Sequence, residues 1–257
     1  MITTEIGYIV SKMNEAELVL VGLGEELDLI GQFPVCERSS YLEKNENLLP
    51  FVRKIMIEEK KSQFFEVYDN LARCLKEKNY FIVSLCQDGL IKNSRLNQER
   101  IVEPCGNYER LQCGKACSDD LYEIPETFLS TLKKELSCKE DVLPEVPKCP
   151  HCGNDLVFNN LNAENYLEEG YLDQWAVYKK WLQGTVNKKV CILELGVGMK
   201  YPTVIRWPFE KITFFNQKAE LFRVHSRLYQ MTEEIKERGF GICQSPQVFL
   251  KELSNEF

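Results

Sequence analysis

The sequence lacks the features that would place the protein in a membrane or on a nucleic acid. No apolar run approaches the roughly 18 to 20 residues of a membrane-spanning helix. The N-terminus has no basic region followed by an apolar signal segment. The net charge is -7, and no cluster of Lys and Arg with interleaved aromatic residues offsets it. We therefore expect neither a membrane nor a nucleic acid as a partner.

Histidine is also scarce, with two residues in 257, whereas cysteine is abundant at eleven. Several cysteines, such as Cys86 and Cys191, fall inside predicted strands, where reduced thiols pack as small apolar groups. An odd number of cysteines, some of them in a predicted core, is typical of a protein kept in a reducing compartment. The sequence therefore predicts a cytoplasmic location.

Four of the cysteines form two close pairs, Cys113 with Cys117 and Cys149 with Cys152. Two such pairs are the usual ligand set of a tetrahedral structural zinc site. The second pair lies in Lys-Cys-Pro-His-Cys-Gly, where the proline sets a turn and the glycine lets backbone amides approach a sulfur. The sequence therefore predicts one Zn²⁺ bound by these four side chains. Core thiols without a metal are the alternative.

Two other residues near the pairs are not expected to bind the metal. His151 lies inside the second pair, but the four cysteines already fill a tetrahedral site, so we expect its ring to face solvent. Cys138 stands alone between the two pairs, and we expect it to take no part.

Apolar segments followed by polar or glycine-rich turns alternate with helical patterns along most of the chain. Strands are expected at about 17–21, 80–86, 190–195, 212–215 and 239–243. Helices are expected at about 4–16, 62–78, 165–183, 226–238 and 246–253. This alternation predicts an α/β fold with a Rossmann-like parallel sheet and helices on both faces.

The alternation stops between about 101 and 160, where five prolines and both cysteine pairs occur. We interpret this segment as a small zinc-ribbon lobe inserted into the sheet. The prediction is a single domain with a Rossmann-like lobe at about 1–100 and 161–257 and a zinc-binding lobe at about 101–160.

Four predicted strand ends could bind a nucleotide, because ligands of open parallel sheets bind beyond the carboxyl ends of the strands. These ends are Gly22-Leu23-Gly24, residues 84–89, Gly196-Val197-Gly198 and Asn216-Gln217. A glycine pair after a strand is also explained by turn geometry, but the recurrence favours a nucleotide. Glu25 and Glu26 after the first turn disfavour a pyrophosphate there, whereas they suit ribose hydroxyls.

The order of these motifs resembles that of the sirtuins, and the similarity is greatest to the macrodomain-linked bacterial and fungal branch associated with protein ADP-ribosylation. The similarity covers about residues 17–255. It depends on Glu103-Pro104-Cys105-Gly106-Asn107-Tyr108, Leu111-Gln112-Cys113, Leu121-Tyr122, Cys149-Pro150-His151-Cys152-Gly153, Leu193-Glu194-Leu195-Gly196-Val197-Gly198, Pro202, Ile205-Arg206 and Pro208-Phe209.

The resemblance implies that NAD+ binds in the cleft between the two lobes. Nicotinamide would leave the ribose, and an acceptor would take the ADP-ribosyl carbon through an oxocarbenium-like state. It also implies that Asp88 lies beside the nicotinamide amide. Candidate contacts to the rest of the cofactor are Gly22, Gly24, Glu25, Gly196, Gly198 and Asn216.

Two positions depart from the pattern of deacylating sirtuins, which have an asparagine and a histidine where this chain has Cys86 and Cys105. An unperturbed thiol has a pKa of about 8.5, so it suits general-base catalysis less than histidine does. Either both thiols are small buried groups, or Cys105 is a nucleophile or acceptor that would have to recruit His225. Arg206 either clamps a carboxylate or phosphate or forms a salt bridge to the adjacent helix.

We therefore expect a divergent sirtuin-like, NAD+-dependent enzyme that performs ADP-ribosyl transfer or NAD+ cleavage rather than lysine deacylation. Its candidate catalytic residues are Cys86, Asp88, Cys105 and Arg206, and its partner is a protein substrate that the sequence does not identify. The alternative is an inactive module that binds NAD+, ADP-ribose or a protein through the same cleft. A zinc-ribbon scaffold without a nucleotide would leave the glycine-rich strand ends unexplained.

Overall fold

The computed structural model describes residues 2–32, 45–138 and 143–257, which form two β-sheets and their helices. The strands are β1 (Leu18–Leu23), β2 (Tyr80–Ser84), β3 (Ile101–Val102), β4 (Gly106–Cys113), β5 (Leu121–Glu123), β6 (Leu156–Asn160), β7 (Val190–Leu195), β8 (Ala219–Val224) and β9 (Gly239–Ile242). The α-helices are α1 (Ile2–Glu15), α2 (Leu29–Gln32), α3 (Leu49–Lys60), α4 (Phe65–Cys74), α5 (Glu126–Cys138), α6 (Leu172–Gln183), α7 (Arg206–Phe215) and α8 (Pro246–Ser254).

The larger sheet has six strands in the order β3-β2-β1-β7-β8-β9, and each adjacent pair is parallel. From β1 the chain builds outward in one direction through β2 and β3. It then returns to the other side of β1 and builds outward through β7, β8 and β9. The direction of winding therefore reverses between β1 and β7, and a parallel sheet binds its ligands outside the carboxyl ends of the strands at such a point.

Side chains of β1 alternate between two apolar layers, as expected for a strand buried on both faces. Val19, Val21 and Leu23 pack with α1, α4 and α8 on one face. Leu18 and Leu20 pack with α6 and α7 on the other. Burial of each aliphatic side chain stabilises the fold by roughly 1.5–3 kcal/mol. The predicted Rossmann-like sheet with helices on both faces is confirmed.

The smaller sheet is antiparallel, with the order β5-β4-β6, and lies within the segment predicted as the zinc-binding lobe. Helix α3, which lies outside that segment in sequence, packs against this lobe. The ring of Phe51 in α3 has its centroid 5.0 Å from that of Phe128 in α5 and 4.8 Å from that of Phe158 in β6. The first residues of the same segment, in β3, pair with β2 of the larger sheet.

Residues 212–215 were predicted as a strand, and this prediction is wrong because they form the last turn of α7. The run Ile-Thr-Phe-Phe has strand-like composition, but only one helical face of it is buried. Thr213 is buried, and its hydroxyl donates to the carbonyl of Phe209 four residues earlier at 2.9 Å. Phe215, on the other face, is 77% exposed.

The helix predicted at 226–238 is also absent, apart from a single 3-10 turn at Glu233–Ile235. Arginine side chains donate hydrogen bonds to backbone carbonyl groups of this segment, which in a helix would accept hydrogen bonds from backbone amides. The Arg206 guanidinium donates to the carbonyl of Leu228, and that of Arg223 donates to the carbonyl of Gln230 at 2.8 Å. Tertiary contacts therefore override the local helical pattern.

None of the helices in the described parts of the chain is both long enough and apolar enough to cross a membrane.

Candidate functional site

Four sulfur atoms converge between the end of β4 and the turn before β6. The Sγ atoms of Cys113, Cys117, Cys149 and Cys152 all lie within 4.8 Å of one another. Two separations are 3.5 Å, between Cys113 and Cys152 and between Cys117 and Cys149. Zn–S bonds of about 2.3 Å give a tetrahedron with edges of about 3.8 Å, so these thiols fit a zinc ion. The side chain of Cys138 lies outside the described residues.

The surroundings of this thiol cluster fit a closed metal site. The His151 side chain is 56% exposed, and its Nε2 lies 2.9 Å from Oδ2 of Asp120, so the expectation that it faces solvent is confirmed. Nδ2 of Asn154 donates a hydrogen bond to Sγ of Cys152 at 3.0 Å. Such contacts to ligand sulfurs orient them for a metal.

The turns after β1 and β7 touch where the winding of the sheet reverses. A Cβ atom on Gly24 would lie 2.2 Å from Cα of Val197, so a side chain does not fit at this position. A Cβ atom on Gly22 would lie 2.6 Å from the side chain of Ile205 and 2.9 Å from that of Phe209. Close packing of protein on protein is therefore sufficient to explain both glycines.

The backbone amides of these turns donate hydrogen bonds within the protein. Those of Gly24, Glu26 and Gly196 donate to backbone carbonyls. The amide of Gly198 donates instead to Oε2 of Glu25 at 2.7 Å. Oε1 of Glu25 is buried and has no hydrogen-bond partner in the described chain. A carboxylate thus occupies the anion position at Gly198, and a phosphate fits there only if Glu25 moves.

The next strand end, after β8, is capped by the second glutamate. The carboxylate of Glu26 accepts hydrogen bonds from the backbone amide of Ser226 at 3.1 Å and from its hydroxyl. Nδ1 of His225 accepts from the amides of Arg227 and Leu228, each at 3.0 Å. Burial lowers the pKa of His225, so its ring is neutral near pH 7.

Asp28 and Asp88 form a reciprocal link between the ends of β1 and β2. Oδ2 of Asp28 accepts from the amide of Gln87 at 3.0 Å, and Oδ2 of Asp88 accepts from the amide of Leu29 at 2.9 Å. Burial, followed by the charge of Asp28, raises the pKa of Asp88 to about 8. Burial also raises the pKa of Asp28. The pair therefore retains a proton near neutral pH.

A third acidic residue, Glu103, follows β3 beside this pair. Its Oε2 accepts from Nδ2 of Asn107 at 3.0 Å, and burial raises its pKa to about 7. Three buried polar atoms here have no partner among the described residues, namely Oε1 of Glu103, Nε2 of Gln87 and Nδ2 of Asn160. A cavity of about 450 Å³ opens beside Glu103, Asn107 and Lys92. Of the three residues with unpartnered atoms, Glu103 lines this cavity, so its carboxyl group is the one that a polar ligand there can reach.

The two thiols predicted as catalytic candidates are each 1% exposed and pack into apolar layers on opposite faces of the sheet. Burial raises the pKa of Cys105 to about 12 and raises that of Cys86 well above its usual range. Both are neutral at pH 7, which favours the interpretation as small buried groups. Across the described residues, no hydrogen bond joins Cys105 to His225.

Arg206 was predicted either to clamp a carboxylate or phosphate or to form a salt bridge to the adjacent helix, and it forms a salt bridge to a strand instead. Its Nε lies 3.4 Å from Oε1 of Glu194 in β7. Arg223 in β8 shares this partner at 2.6 Å and also contacts Glu210 at 2.8 Å. Arg206 is therefore held by a strand residue in a buried network, and it is not free to bind a ligand.

Asn216 was predicted as a cofactor contact at a strand's carboxyl end, and this placement is wrong. The residue follows α7 and precedes β8, at the opposite edge of the sheet. Its Nδ2 donates to the carbonyls of Thr185 and Lys188, both at 3.0 Å. It therefore closes a loop far from the glycine-rich turns.

Sequence reasoning missed two acidic residues at the carboxyl edge. Asp28 stands between two leucines, and an acidic residue in apolar surroundings was the available signal. Glu103 begins one of the segments on which the resemblance to sirtuins depends, but no role was predicted for it. Their proximity to Asp88 depends on the pairing of β1, β2 and β3, which only the folded chain reveals.

Comparison with solved structures identifies the fold. A structure of Sir2 bound to acetylated peptide superposes with a TM-score of 0.60 over 98% of both chains at 16% identity. A Sir2-p53 peptide-NAD+ complex superposes with a TM-score of 0.57 over 96% of this chain and 95% of that one, also at 16% identity. The chain has the sirtuin fold. The resemblance in motif order is thus confirmed in three dimensions.

Two curated proteins also match this sirtuin-fold chain. A Staphylococcus aureus (strain Mu50 / ATCC 700699) protein, "Protein ADP-ribosyltransferase", is 24% identical over 182 residues, which is 69% of this chain. A Fusarium oxysporum f. sp. cubense protein, "Probable bifunctional ADP-ribose hydrolase/ADP-ribosyltransferase", is 27% identical over 170 residues, or 63% of this chain. The matches span 56% and 28% of those relatives' own lengths. No family model matches the chain.

Proposed function

We propose that the protein is an NAD+-dependent enzyme that transfers ADP-ribosyl groups to a protein or cleaves NAD+, without efficient lysine deacylation. The observation that carries this proposal is the buried acidic group formed by Asp28, Asp88 and Glu103 at the carboxyl edge of a sirtuin fold. Breaking the bond between nicotinamide and ribose develops positive charge on the sugar. An ionised carboxylate in a low-dielectric site stabilises such charge, and Glu103, with a pKa of about 7, can ionise near neutral pH.

The raised pKa of Asp88, about 8, supports a specific role in binding. A carboxyl group that retains its proton both donates and accepts hydrogen bonds, which complements a carboxamide such as that of nicotinamide. The unpartnered Nε2 of Gln87 supplies a further donor next to Asp88 in the chain. The chain would thus bind and orient the leaving group with neutral, hydrogen-bonding side chains.

The same geometry argues against deacylation. At the two positions where deacylating relatives have polar groups, this chain has thiols that remain protonated at pH 7, Cys86 and Cys105. Neither accepts a proton efficiently from an attacking hydroxyl. Transfer to a nucleophile supplied by the acceptor has less need of a general base, since it depends mainly on positioning and on charge stabilisation.

The two curated relatives, both named as ADP-ribosyltransferases, support ADP-ribosyl transfer, and solved sirtuin structures with NAD+ support the co-substrate. For the four-cysteine cluster we propose a structural Zn²⁺ held by Cys113, Cys117, Cys149 and Cys152. The metal would stabilise the small lobe and take no part in chemistry, because the four thiolates leave no open position. A reducing cytoplasm would keep these thiols available.

The test is to incubate the purified protein with NAD+ and measure nicotinamide release, with and without a cell extract as the source of acceptors. We expect nicotinamide release, label transfer from labelled NAD+ to a protein, and negligible acetyl removal from acetyl-lysine peptides. Asp88→Ala, which removes both the donor and the acceptor, should abolish release, whereas Asp69→Ala on the surface should not. Robust deacetylation by the unmodified protein would contradict the proposal.

A second candidate is an inactive module that binds NAD+ or ADP-ribose. The contact between Glu25 and the Gly198 amide favours it, because an anion position already filled by a carboxylate weakens phosphate binding. Ligand-induced thermal stabilisation without nicotinamide release would identify this module, since any ligand of the native state raises the melting temperature.

A further inference from the structure

We propose that Glu25 is an internal substitute for a phosphate, and that its carboxylate must leave the Gly198 amide before the pyrophosphate of NAD+ or ADP-ribose can bind. This inference rests on the proposed function and names the residue that controls access to its nucleotide site. Oε2 of Glu25 lies 2.7 Å from the Gly198 nitrogen, directly beside the reversal point between β1 and β7.

The Gly198 amide differs from its neighbours in the type of its acceptor. The amides of Gly24, Glu26 and Gly196 donate to backbone carbonyls, so freeing them would require the strand ends to separate. The Gly198 amide donates to a side chain, and a rotation of Glu25 alone would release it. Among these four donors, it is therefore the one that a ligand can acquire at low cost.

The backbones of the turn after β1 and the turn after β7 pack too closely for a ligand to enter between them. A Cβ atom on Gly24 would lie 2.2 Å from Cα of Val197 and 2.3 Å from the carbonyl oxygen of Gly196. There is no room between the two turns for a phosphate. An anion must therefore approach Gly198 from the side that Glu25 occupies, where a Cβ on Gly198 would lie 3.2 Å from the Glu25 carboxylate.

Electrostatic repulsion also prevents the Glu25 carboxylate and a phosphate from both lying beside the Gly198 amide. A phosphate at hydrogen-bond distance from Gly198 would lie within a few ångströms of Glu25, and like charges at such a distance repel strongly near a protein surface. Oε1 of Glu25 is buried and without a hydrogen-bond partner among the described residues, so part of the carboxylate is poorly solvated where it lies. Displacement into solvent would relieve that cost.

A cation close to the site can neutralise whichever anion is present. Burial raises the pKa values of Asp28 and Cys105, and the nearby Lys200 ammonium partly opposes this effect at both residues. Lys200 itself is exposed, two residues after Gly198. It can therefore accompany either the Glu25 carboxylate or an incoming phosphate.

The experiment compares the binding of two ligands by calorimetry, ADP-ribose with its pyrophosphate and adenosine without one. The proteins are wild type, Glu25→Ala, Glu25→Gln and the surface control Glu237→Gln, each checked for an unchanged melting temperature without ligand. Glu25→Gln keeps a side chain that accepts the Gly198 hydrogen bond but removes the charge. Neither Glu25 variant carries the negative charge that competes with a phosphate for the Gly198 amide. We therefore expect both variants to bind ADP-ribose at least about tenfold more tightly than wild type.

Tighter ADP-ribose binding with unchanged adenosine binding would support the inference. Equal ADP-ribose affinity in wild type and both Glu25 variants would overturn it while leaving the proposed function intact. Equal tightening for adenosine would also overturn it, because Glu25 would then block something other than a phosphate. If none of the four proteins bound ADP-ribose or NAD+ at millimolar concentration, both the inference and the proposed function would fail.

Discussion

Nε of Arg223 lies 2.6 Å from Oε1 of Glu194, in an ion pair joining two adjacent parallel strands in register. The Glu194 side chain is fully buried and that of Arg223 is 2% exposed. Glu194 lies two residues before Gly196, so the pair stabilises the strand end that carries the second glycine-rich turn. A buried pair of this kind holds its elements in one arrangement, because either charge alone would be unsolvated.

Breaking this pair should be costly. Glu194→Gln leaves the buried Arg206 guanidinium without its carboxylate and leaves Arg223 with Glu210 alone, and we expect a loss of about 3–5 kcal/mol in the free energy of unfolding. The measurement is urea denaturation. Glu233→Gln, which removes one side of the exposed pair with Lys236, should change the midpoint very little. Equal effects of the two substitutions would contradict the importance of the buried pair.

The pH dependence of stability should reveal the proton shared by Asp28 and Asp88. The pKa of Asp88 rises from 3.8 to about 8 on folding, so unfolding between pH 4 and 8 releases a proton. Stability should therefore fall as pH rises through this window, by at most about 1.4 kcal/mol per pH unit for one proton. Asp88→Asn should lose less stability between pH 5 and 8 than wild type. A steeper loss would show that the carboxyl is ionised in the folded protein.

Two exposed cysteines, one inside the four-cysteine cluster and one outside it, test the predicted zinc site. Cys152→Ser should lose bound zinc and destabilise the small lobe, because structural zinc contributes folding free energy directly. Cys243→Ser, outside the cluster, should keep one zinc per chain. Elemental analysis of reduced, chelator-free protein measures both. Wild-type protein without zinc would refute the site.

Substitution by alanine should destabilise the protein at one glycine and stabilise it at another. Gly24→Ala places a Cβ atom 2.2 Å from the Val197 backbone and should cost at least about 1–3 kcal/mol. Gly7→Ala, in the middle of α1 with nothing within 4 Å, should stabilise by about 0.5–1 kcal/mol. Thermal and urea unfolding report both changes. Tolerance of Gly24→Ala would mean that the two turns are not in close contact.

Cys105→Ser tests whether the thiol takes part in chemistry. Because burial keeps Cys105 protonated, with a pKa of about 12, we expect kcat/KM for nicotinamide release to change by less than about tenfold. Retained NAD+ binding is checked by calorimetry in the same preparation. Loss of turnover with binding intact would instead assign the thiol a chemical role.

The motifs at strand ends predicted which turns meet better than they predicted the contacts of individual residues. The turns at Gly22–Gly24 and Gly196–Gly198 do meet at the reversal point. Yet the residues there have partners that spacing does not reveal. Glu25 binds the Gly198 amide, and Arg206 pairs with a strand rather than with a helix.

Local sequence determined the elements whose burial follows a simple period and the ligands that lie close together in the chain. Strand β7 occupies the predicted range 190–195, and a short turn brings together the two thiols within each cysteine pair. Pairing of β4 with β6 then brings the two pairs into one cluster. The tertiary structure decided which polar groups meet. Asp28 and Asp88 are 60 residues apart in sequence, and pairing of β1 with β2 brings them into one buried group. Burial and neighbouring charge then set their pKa values, and neither exists before the chain folds.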